Sequence, residues 1–367
     1  MADIYVVYPR IHEYHSRLIK IGESLCERDK RVVFISMKFN TTLPSKVTLE
    51  NGNVIRRVGV ASSNRSVHSI NFVILYLTVI LTKLTHFKSM LWLNSVSVLP
   101  LSVLWGKVIY APHELETERS SAKGGLKKKM SKLLERTFIK FANHVIVVGN
   151  NIAKWYKEQY DLDKVYVVRN IPKGYSQSNV KVSSTYLRDK FNIDSDTPIF
   201  LYQGIINKGR GLESLIAAFS KSEKATLVVM GFGPLTGMVK EAADRCERIK
   251  YHDPVPPQEL ESISASADFG LCLIENICLS YYYSLPNKLF EYINSGIPVI
   301  GSNFPEIQEV IEGYNIGWCI APDSSAIESL VAKLKQSDSE GFTDSFKRAK
   351  SEMTWSSDFE RLDFIGK

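Results

Sequence analysis

The chain has 367 residues, of which 44% are hydrophobic and 23% are charged, and its net charge is +7. The chain is long enough for two α/β domains. Its composition is ordinary for a soluble globular protein and excludes a low-complexity or disordered chain. The five cysteines are scattered, with no pair at metal-ligand spacing. The sequence therefore predicts reduced thiols, no disulfide and no structural metal.

The charge is divided unequally along the chain. Residues 1–172 contain 26 Lys and Arg against 13 Asp and Glu, whereas the remainder contains 20 against 26. A basic first half predicts an anionic partner for that half. Nucleic acid is disfavoured because no zinc-knuckle or RNP-like aromatic motif is present. An anionic membrane surface or a lipid diphosphate fits the charge better.

Short apolar runs alternate with helix-like segments through the first half. The predicted strands are Ile4–Tyr8, Val32–Ser36, Met90–Asn94, Val108–Ala111, Val145–Val148 and Val165–Val168. This repetition predicts a parallel sheet with helices on both faces. The sequence opens directly on a strand, so we expect no signal peptide and a cytoplasmic protein.

Polar residues follow two of these strands. Arg10 and His12 come after the first strand, and His113 and Glu114 come after the strand at 108–111. Arg10 is a candidate for binding a phosphate. It is equally a candidate for a surface charge without a binding role. Glu114 is either a ligand contact or a carboxylate favoured by the dipole at a helix start.

Two helical segments bear on membrane binding. The apolar run Phe72–Leu81 is short of the ~20 residues that span a bilayer, so it predicts a buried or interfacial helix. Leu126–Lys140 is a basic amphipathic helix, of the kind that lies in anionic headgroups. The alternative is a surface helix that packs Leu133, Leu134 and Phe138 into its own domain. The cluster of lysines favours peripheral attachment to the inner face of the cell membrane.

A polar linker and a second α/β domain follow. Residues 173–195 are the predicted linker, between a first domain at 1–172 and a second at 196–350, and a final helix is predicted at 351–367. The predicted strands of the second domain are Pro198–Tyr202, Thr226–Met230, Ile249–Tyr251, Phe269–Leu273, Val299–Ile300 and Gly317–Ile320.

A glycine-rich loop follows the first of these strands. It runs from Gly204 to Gly211 and precedes the helix Leu212–Phe219, so its backbone and the helix dipole are suited to a phosphate. Arg210 and Lys208 are its candidate phosphate cations. Gly231 and Gly233 end the next strand, which is by itself a weak signal of a ligand site.

The segment Ser284–Ile300 is the most informative in the chain. Pro286, Asn287 and Lys288 open a helix, Glu291 lies one turn on, and Gly296 ends the helix before a short strand. A helix start with a lysine suits a diphosphate, and a carboxylate one turn later suits a sugar diol. Together these residues predict a pocket for a nucleoside diphosphate.

This segment resembles the donor-binding helix of retaining GT-B glycosyltransferases, especially the group 1, family 4-like enzymes that build bacterial surface polysaccharides. The resemblance covers nearly the whole chain. It implies two Rossmann-like domains facing a central cleft, with the C-terminal helix crossing back to the first domain. In that family the residue at Glu291 binds the ribose of a nucleotide-sugar, and GT-B enzymes generally need no metal.

The resemblance also implies roles for the remaining candidate residues. His113 is expected beside the donor sugar, and Arg210 and Lys288 on the diphosphate, where they would stabilise leaving-group charge. Arg10, His12 and Glu114 are expected to contact the acceptor. The donor site is expected to comprise Gly204, Lys208, Arg210, Gly231, Gly233, Val255, Tyr283, Leu285, Pro286, Asn287, Lys288 and Glu291.

Two departures from the family pattern are visible. Ile205 stands where the family usually carries an arginine, and Tyr283 stands where it usually carries a first glutamate. Glu275 is a candidate to supply that carboxylate. Tyr281, Tyr282 and Tyr283 are candidates either to stack on a sugar or to pack within the protein.

The sequence therefore predicts a retaining, metal-independent glycosyltransferase. It would move a sugar from a nucleotide-diphosphate donor to a lipid-linked or growing surface glycan, as in O-antigen, lipopolysaccharide or capsule synthesis. Two alternatives stay open: a non-catalytic nucleotide-sugar-binding subunit of a transferase complex, and a nucleotide-sugar epimerase on the same fold.

Overall fold

The structure is a computed structural model that describes residues 3–10, 15–39, 42–62, 64–119, 125–172 and 183–366. It divides into two compact units. Unit 1 comprises Met1–Asn170 and Ser356–Lys367, and unit 2 comprises Ile171–Trp355.

Unit 1 is built on an eight-stranded sheet with the order β3-β4-β2-β1-β5-β6-β7-β8. All neighbouring strands are parallel except the pair β3 and β4. The sequence prediction missed β3 and β4 because they are short and carry charged residues. The strands are β1 Ile4–Tyr8, β2 Val32–Met37, β3 Lys46–Thr48, β4 Val54–Val58, β5 Met90–Leu93, β6 Val108–Tyr110, β7 His144–Val147 and β8 Val165–Val167.

The helices of unit 1 connect these parallel strands. They are α1 Ser16–Cys26, α2 Arg65–Thr85, α3 Leu126–Phe138 and α4 Asn150–Tyr160, with 3-10 segments at Val96–Leu104, Glu116–Glu118 and Ile139–Phe141. The apolar run predicted at Phe72–Leu81 is only the middle of α2, which has 21 residues. Among the described residues, Ser66–Thr85 is one helix that is long and apolar enough to cross a membrane.

Unit 2 contains a fully parallel six-stranded sheet with the order β11-β10-β9-β12-β13-β14. Its strands are β9 Ile199–Ile205, β10 Thr226–Phe232, β11 Ile249–His252, β12 Phe269–Cys272, β13 Val299–Ser302 and β14 Gly317–Ile320. Each was predicted to within a few residues, because buried parallel strands are continuous apolar runs bounded by polar loops.

The helices of unit 2 cover both faces of that sheet. They are α5 Tyr186–Phe191, α6 Leu212–Phe219, α7 Thr236–Arg245, α8 Pro257–Ser264, α9 Leu279–Tyr282, α10 Asn287–Ser295, α11 Pro305–Tyr314, α12 Ser324–Val331 and α13 Thr343–Glu352, with a 3-10 segment at Gln336–Ser339. The helix α14 Trp355–Glu360 and the 3-10 segment Asp363–Ile365 follow, and apart from Trp355 they belong to unit 1. Part of the predicted linker is ordered, because α5 buries Leu187 in the core of unit 2.

The C-terminal residues belong to unit 1, although they follow unit 2 in the sequence. Asp358 is fully buried and accepts hydrogen bonds from the backbone N–H and the guanidinium of Arg169, at 2.7 to 2.9 Å. Arg28 donates to the carbonyls of Phe359 and Leu362. These charge-assisted bonds fix the end of the chain to the first sheet.

Candidate active site

The candidate donor site lies at the carboxyl edge of the second sheet. The chain passes from β9 outward through β10 to β11, and then returns to the other side of β9 with β12, β13 and β14. The sheet therefore reverses its strand order beside β9. Ligands of open α/β sheets bind at such a switch point, outside the carboxyl ends of the strands.

Lys288 is the most unusual residue of this edge. Its side chain is buried, its Nζ has no hydrogen-bond partner, and that atom lies 3.4 Å from the centre of the Tyr202 ring. Burial lowers the pKa of the Lys288 ammonium to about 7. A buried cation with only an aromatic face as partner is prepared to receive an anion.

Helix α10 supplies the surroundings of Lys288. Pro286 precedes the helix, Asn287 is its first residue, and Gly296 ends it in the left-handed conformation (φ 76°), as the sequence predicted. The backbone N–H groups of the first turn lack partners within the helix, and they carry the positive end of its dipole. Lys288 and the N–H groups of this turn together form a region of positive potential at the start of α10.

Glu291 is held by a residue that the sequence analysis missed. Gln203 Nε2 donates to a Glu291 carboxylate oxygen at 2.7 Å, and Gln203 Oε1 accepts from Ser264 Oγ at 2.6 Å. Because the side chain of Gln203 is buried, this chain of bonds restricts where the carboxylate points. A polar residue directly after the apolar run Ile199–Tyr202 was the available signal.

The glycine-rich loop carries the second cation. The Arg210 guanidinium lies 4.8 Å from the Tyr281 ring centre, and Gly209 has positive φ and faces Ile277 and Tyr281. Glu275 donates its backbone N–H to Gly209 O at 3.1 Å, so the Glu275 segment supports this loop. Lys208 is exposed. The structure therefore places Arg210, more than Lys208, in a fixed position.

The glycines at the two strand ends have different roles. A Cβ on Gly204 would meet nothing nearer than Lys288 Cε at 3.9 Å, so Gly204 leaves open space beside the cation. A Cβ on Gly231 or Gly233 would collide with the carbonyl oxygen of Gly204 or Ile206, respectively. Gly231 and Gly233 are thus required for close approach of adjacent backbone segments, which is a structural reason for glycine.

The other predicted donor residues lie nearby with less defined roles. Leu285 is buried in the core, so its backbone is the part left for a ligand, and Val255 packs against the same core. Tyr281 and Tyr282 also pack there, while the ring of Tyr283 lies 5.1 Å from that of Tyr282. Tyr281 and Tyr282 therefore have a packing role, whereas the donor contact expected of Tyr283 stays a prediction.

A second cluster lies at the carboxyl edge of the first sheet. His113 follows β6, and its ring lies 4.2 Å from that of His15 and 5.5 Å from that of Tyr8, measured between centres. Both ring nitrogens of His113 are buried without a partner. Burial, with the Arg17 charge second, lowers the pKa of His113 well below its usual value, so the imidazole is neutral at pH 7.

Arg17 is the residue of this cluster that the sequence analysis missed. It is 1% exposed, and none of its three guanidinium nitrogens has a hydrogen-bond partner. Burial lowers the pKa of Arg17 to about 10, which leaves it charged at pH 7. The only sequence signal was a charged residue beside Leu18 on the apolar side of α1.

The predicted acceptor residues are distributed around this cluster. Arg10 is exposed, and Glu114 forms an ion pair with Arg119. Arg10, Arg119 and Lys127 line a cavity of about 730 Å³ in unit 1, together with Glu116 and Phe72. His12 lies outside the described residues. Among the residues that the structure describes, no group of three or more His, Cys, Asp or Glu side chains is arranged to hold a metal ion.

Comparison with known proteins finds a family match for part of the chain. The family model "Glycosyl transferases group 1" matches residues 197–337. These residues all lie within unit 2. Chitobiosyldiphosphodolichol beta-mannosyltransferase of Candida albicans is 24% identical over 231 residues, covering 59% of this chain and 49% of that protein. The chain thus spans about half the length of the curated relatives it matches.

Solved structures similar to the whole chain confirm the predicted GT-B fold. Sucrose-phosphate synthase from Thermosynechococcus elongatus has a TM-score of 0.75 at 16% identity, covering 100% of this chain and 98% of that one. HepE from Anabaena, solved with UDP, has a TM-score of 0.68 at 12% identity, covering 99% and 98%. At these identities the likeness shows the fold alone, and the region matched by the family model contains the site residues Gln203, Arg210, Lys288 and Glu291.

Proposed function

We propose that the protein is a glycosyltransferase that moves a sugar from a nucleotide-diphosphate donor to an anionic, lipid-linked glycan. The observation that carries the proposal is Lys288, a buried cation without a polar partner at the start of α10, with Glu291 one turn away. This arrangement provides positive charge for a diphosphate and an acceptor-only carboxylate for a ribose diol. HepE, a structural neighbour, was solved with UDP, which supports a nucleotide donor.

Catalysis in this proposal is electrostatic. As the bond from the sugar to the diphosphate breaks, negative charge accumulates on the leaving phosphate. Lys288, Arg210 and the N–H groups at the start of α10 stabilise that charge, and Gln203 fixes the Glu291 carboxylate on the nucleotide. The leaving phosphate accepts the proton of the acceptor hydroxyl, so no protein base is needed. The hydroxyl oxygen bonds to the anomeric carbon on the face that the diphosphate leaves, so configuration is retained. These cations take the place that a divalent metal holds in other transferases.

Unit 1 is proposed to bind the acceptor. Arg17 is a buried permanent cation without a partner, and Arg10, Arg119 and Lys127 line a cavity in the same unit. This charge fits the diphosphate of a lipid-linked acceptor, the class named for the Candida relative. We propose surface-glycan synthesis, such as O-antigen or capsule, at the inner face of the cell membrane.

A thermal-shift screen tests the donor site. The purified protein is heated with uridine, guanosine and adenosine diphosphates and with their sugar conjugates, since specific binding raises the melting temperature by mass action. One nucleotide series should stabilise the wild type, and Glu291→Ala should remove that shift. Glu241→Ala, which changes an exposed carboxylate on α7, is the matched control and should keep it.

Turnover then separates catalysis from binding. Sugar release from the stabilising donor in the presence of a lipid-diphosphate acceptor supports the transferase. A donor that binds and is never turned over identifies a binding subunit, and a donor whose sugar is altered without an acceptor identifies an epimerase. Absence of a shift with every nucleotide would overturn the pocket itself.

A further inference from the structure

The outer side of α2 is an exposed apolar stripe. Ile70, Val73, Leu77, Ile80, Leu81 and Leu84 are between 37% and 73% exposed. Their spacing of three and four residues places all six on one face of the helix. Scattered exposed apolar residues are ordinary, but a continuous row on one helix marks an interaction surface.

The opposite side of α2 is fixed to unit 1. Leu75 and Val79 are fully buried, and Asn71 donates to the carbonyls of Lys38 and Val60. Tyr76 OH donates to the carbonyl of Ser97 in the 3-10 segment Val96–Leu104. These contacts hold the inner side of α2 against the rest of unit 1 from Asn71 to Val79. The stripe on its outer side therefore faces away from the unit.

Two neighbouring elements extend the stripe. The 3-10 segment Val96–Leu104 contacts both α2 and α3, and its residues Val103 and Leu104 are exposed. On α3, Leu126, Met130 and Leu133 are exposed as well. We call these exposed residues of α2, the 3-10 segment and α3 the apolar face.

Helix α3 is held by a buried carboxylate, whereas the alternative interpretation of its sequence had it packing Leu133, Leu134 and Phe138 into the domain. Its buried residue is Glu135, which accepts hydrogen bonds from the hydroxyls of Tyr110, Tyr156, Tyr160 and Thr117, at 2.7 to 3.1 Å. Leu133 is therefore left at the surface. The helix exposes apolar side chains because its anchor to unit 1 is polar.

Positive charge accompanies the apolar face. The sequence carries no Asp or Glu between Glu50 and Glu114, and α3 contributes Lys127, Lys129 and Arg136, which are exposed and form no ion pair among the described residues. An apolar stripe flanked by cations matches the interface of an anionic bilayer, where acyl chains lie beneath phosphate groups.

We propose that the apolar face inserts into the interface of an anionic phospholipid bilayer, with α2 lying in the membrane plane. A second copy of the chain is the weaker occupant, because two such faces would bring their cations together. The cavity lined by Arg10, Arg119 and Lys127 also includes Phe72 of α2 and Leu134 of α3. A lipid-linked acceptor would reach it from the bilayer, a point that rests on the proposed function.

Co-sedimentation with vesicles tests the proposal on the full chain. Wild type should bind vesicles of phosphatidylcholine with about 30% phosphatidylglycerol, and bind pure phosphatidylcholine about tenfold more weakly. Leu77→Gln with Leu84→Gln should lower partitioning about tenfold or more. Ile19→Gln with Val60→Gln changes two exposed apolar residues outside the stripe and should bind like wild type.

Salt distinguishes insertion from charge attraction alone. At about 1 M salt, where charge interactions are screened beyond a few ångströms, wild type should keep a bound fraction that the Leu77/Leu84 variant loses. Equal binding of the two variants, or complete release of wild type, would overturn the proposal. So would a solution dimer that the Leu77/Leu84 changes convert to a monomer.

The assay needs no nucleotide-sugar, so its outcome is independent of the donor site. Circular dichroism confirms that each variant is folded. The Leu77/Leu84 variant should retain the thermal shift with the stabilising nucleotide, because neither residue lies in unit 2. Lost vesicle binding with an intact shift separates failure of membrane docking from failure of the proposed function.

Discussion

Among the residues that the structure describes, Lys288 of unit 2 and Arg17 of unit 1 are buried cations without a polar partner, and the two differ in kind. In unit 2, Lys288 lies against the Tyr202 ring and has its pKa lowered to about 7 by burial. In unit 1, Arg17 is also buried from solvent without a hydrogen-bond partner, but its pKa falls only to about 10. At pH 7 the lysine can lose its proton, whereas the arginine cannot.

Under the proposed function, this difference separates two ways of preparing an anion site. The lysine avoids much of the cost of burial by becoming neutral, and it regains its charge when an anion binds. The arginine bears the cost continuously, so unit 1 gives up stability to keep a permanent charge. Substitutions at the two positions should therefore affect different quantities.

The largest contrast is expected between two buried arginines. Arg17→Met removes an unpartnered charge and should raise the free energy of unfolding by about 1–4 kcal/mol. Arg169→Met removes the partner of buried Asp358 and should lower it by about 3–5 kcal/mol. Urea unfolding measures both. Destabilisation by Arg17→Met would mean that Arg17 has a structural role.

Lys288→Met should remove most of the catalytic effect with little loss of stability. Deleting one donor that stabilises leaving-group charge costs about 10²–10³ in rate. Steady-state transfer from the donor identified by thermal shift measures kcat/KM. The exposed Lys208→Met serves as a comparison and should lose far less; a similar loss for both would remove the distinction between the two lysines.

Gln203→Leu tests whether Glu291 is positioned or merely present. The substitution removes the bond to the carboxylate and leaves Glu291 itself intact. Donor binding should weaken about tenfold, which corresponds to the loss of one hydrogen bond to a charged group. Titration calorimetry with the stabilising nucleotide measures this change, and unchanged affinity would show that Glu291 needs no support from Gln203.

The smallest expected effect is the uptake of a proton when the diphosphate binds. At pH 8 the Lys288 amine, with a pKa of about 7, is mostly neutral, and a bound diphosphate raises that pKa. Binding should therefore take up approaching one proton, and affinity should fall as pH rises further. Calorimetry in two buffers of different ionisation enthalpy measures the uptake. Lys288→Met should abolish it, and equal uptake by that variant would point to another group.

The same lysine makes a related contribution to stability. Its pKa is lower in the folded chain than the value of 10.5 it has when unpaired in water. Between about pH 7 and pH 10.5 the unfolded chain binds more protons at this site, so its contribution to stability rises with pH across that window.

The sequence by itself determined the parallel strands and the helix α10, because each depends on residues adjacent in the chain. An apolar run makes a buried strand, and the order Pro286, Lys288, Glu291, Gly296 gives a helix with its start, its charges and its end. The site residues of α10 could therefore be named without a structure, and the GT-B fold followed from them.

Only the tertiary structure decided which polar groups meet and which surfaces stay open. Gln203 meets Glu291 across 88 positions of sequence, and the charge of Arg17 acts on His113 although the two residues are far apart in the chain. The apolar run of α2 predicted a helix that is either buried or interfacial, because periodicity gives a helix its faces without saying what covers them. Burial is a property of neighbours, and neighbours distant in sequence are chosen by the packing of the whole unit.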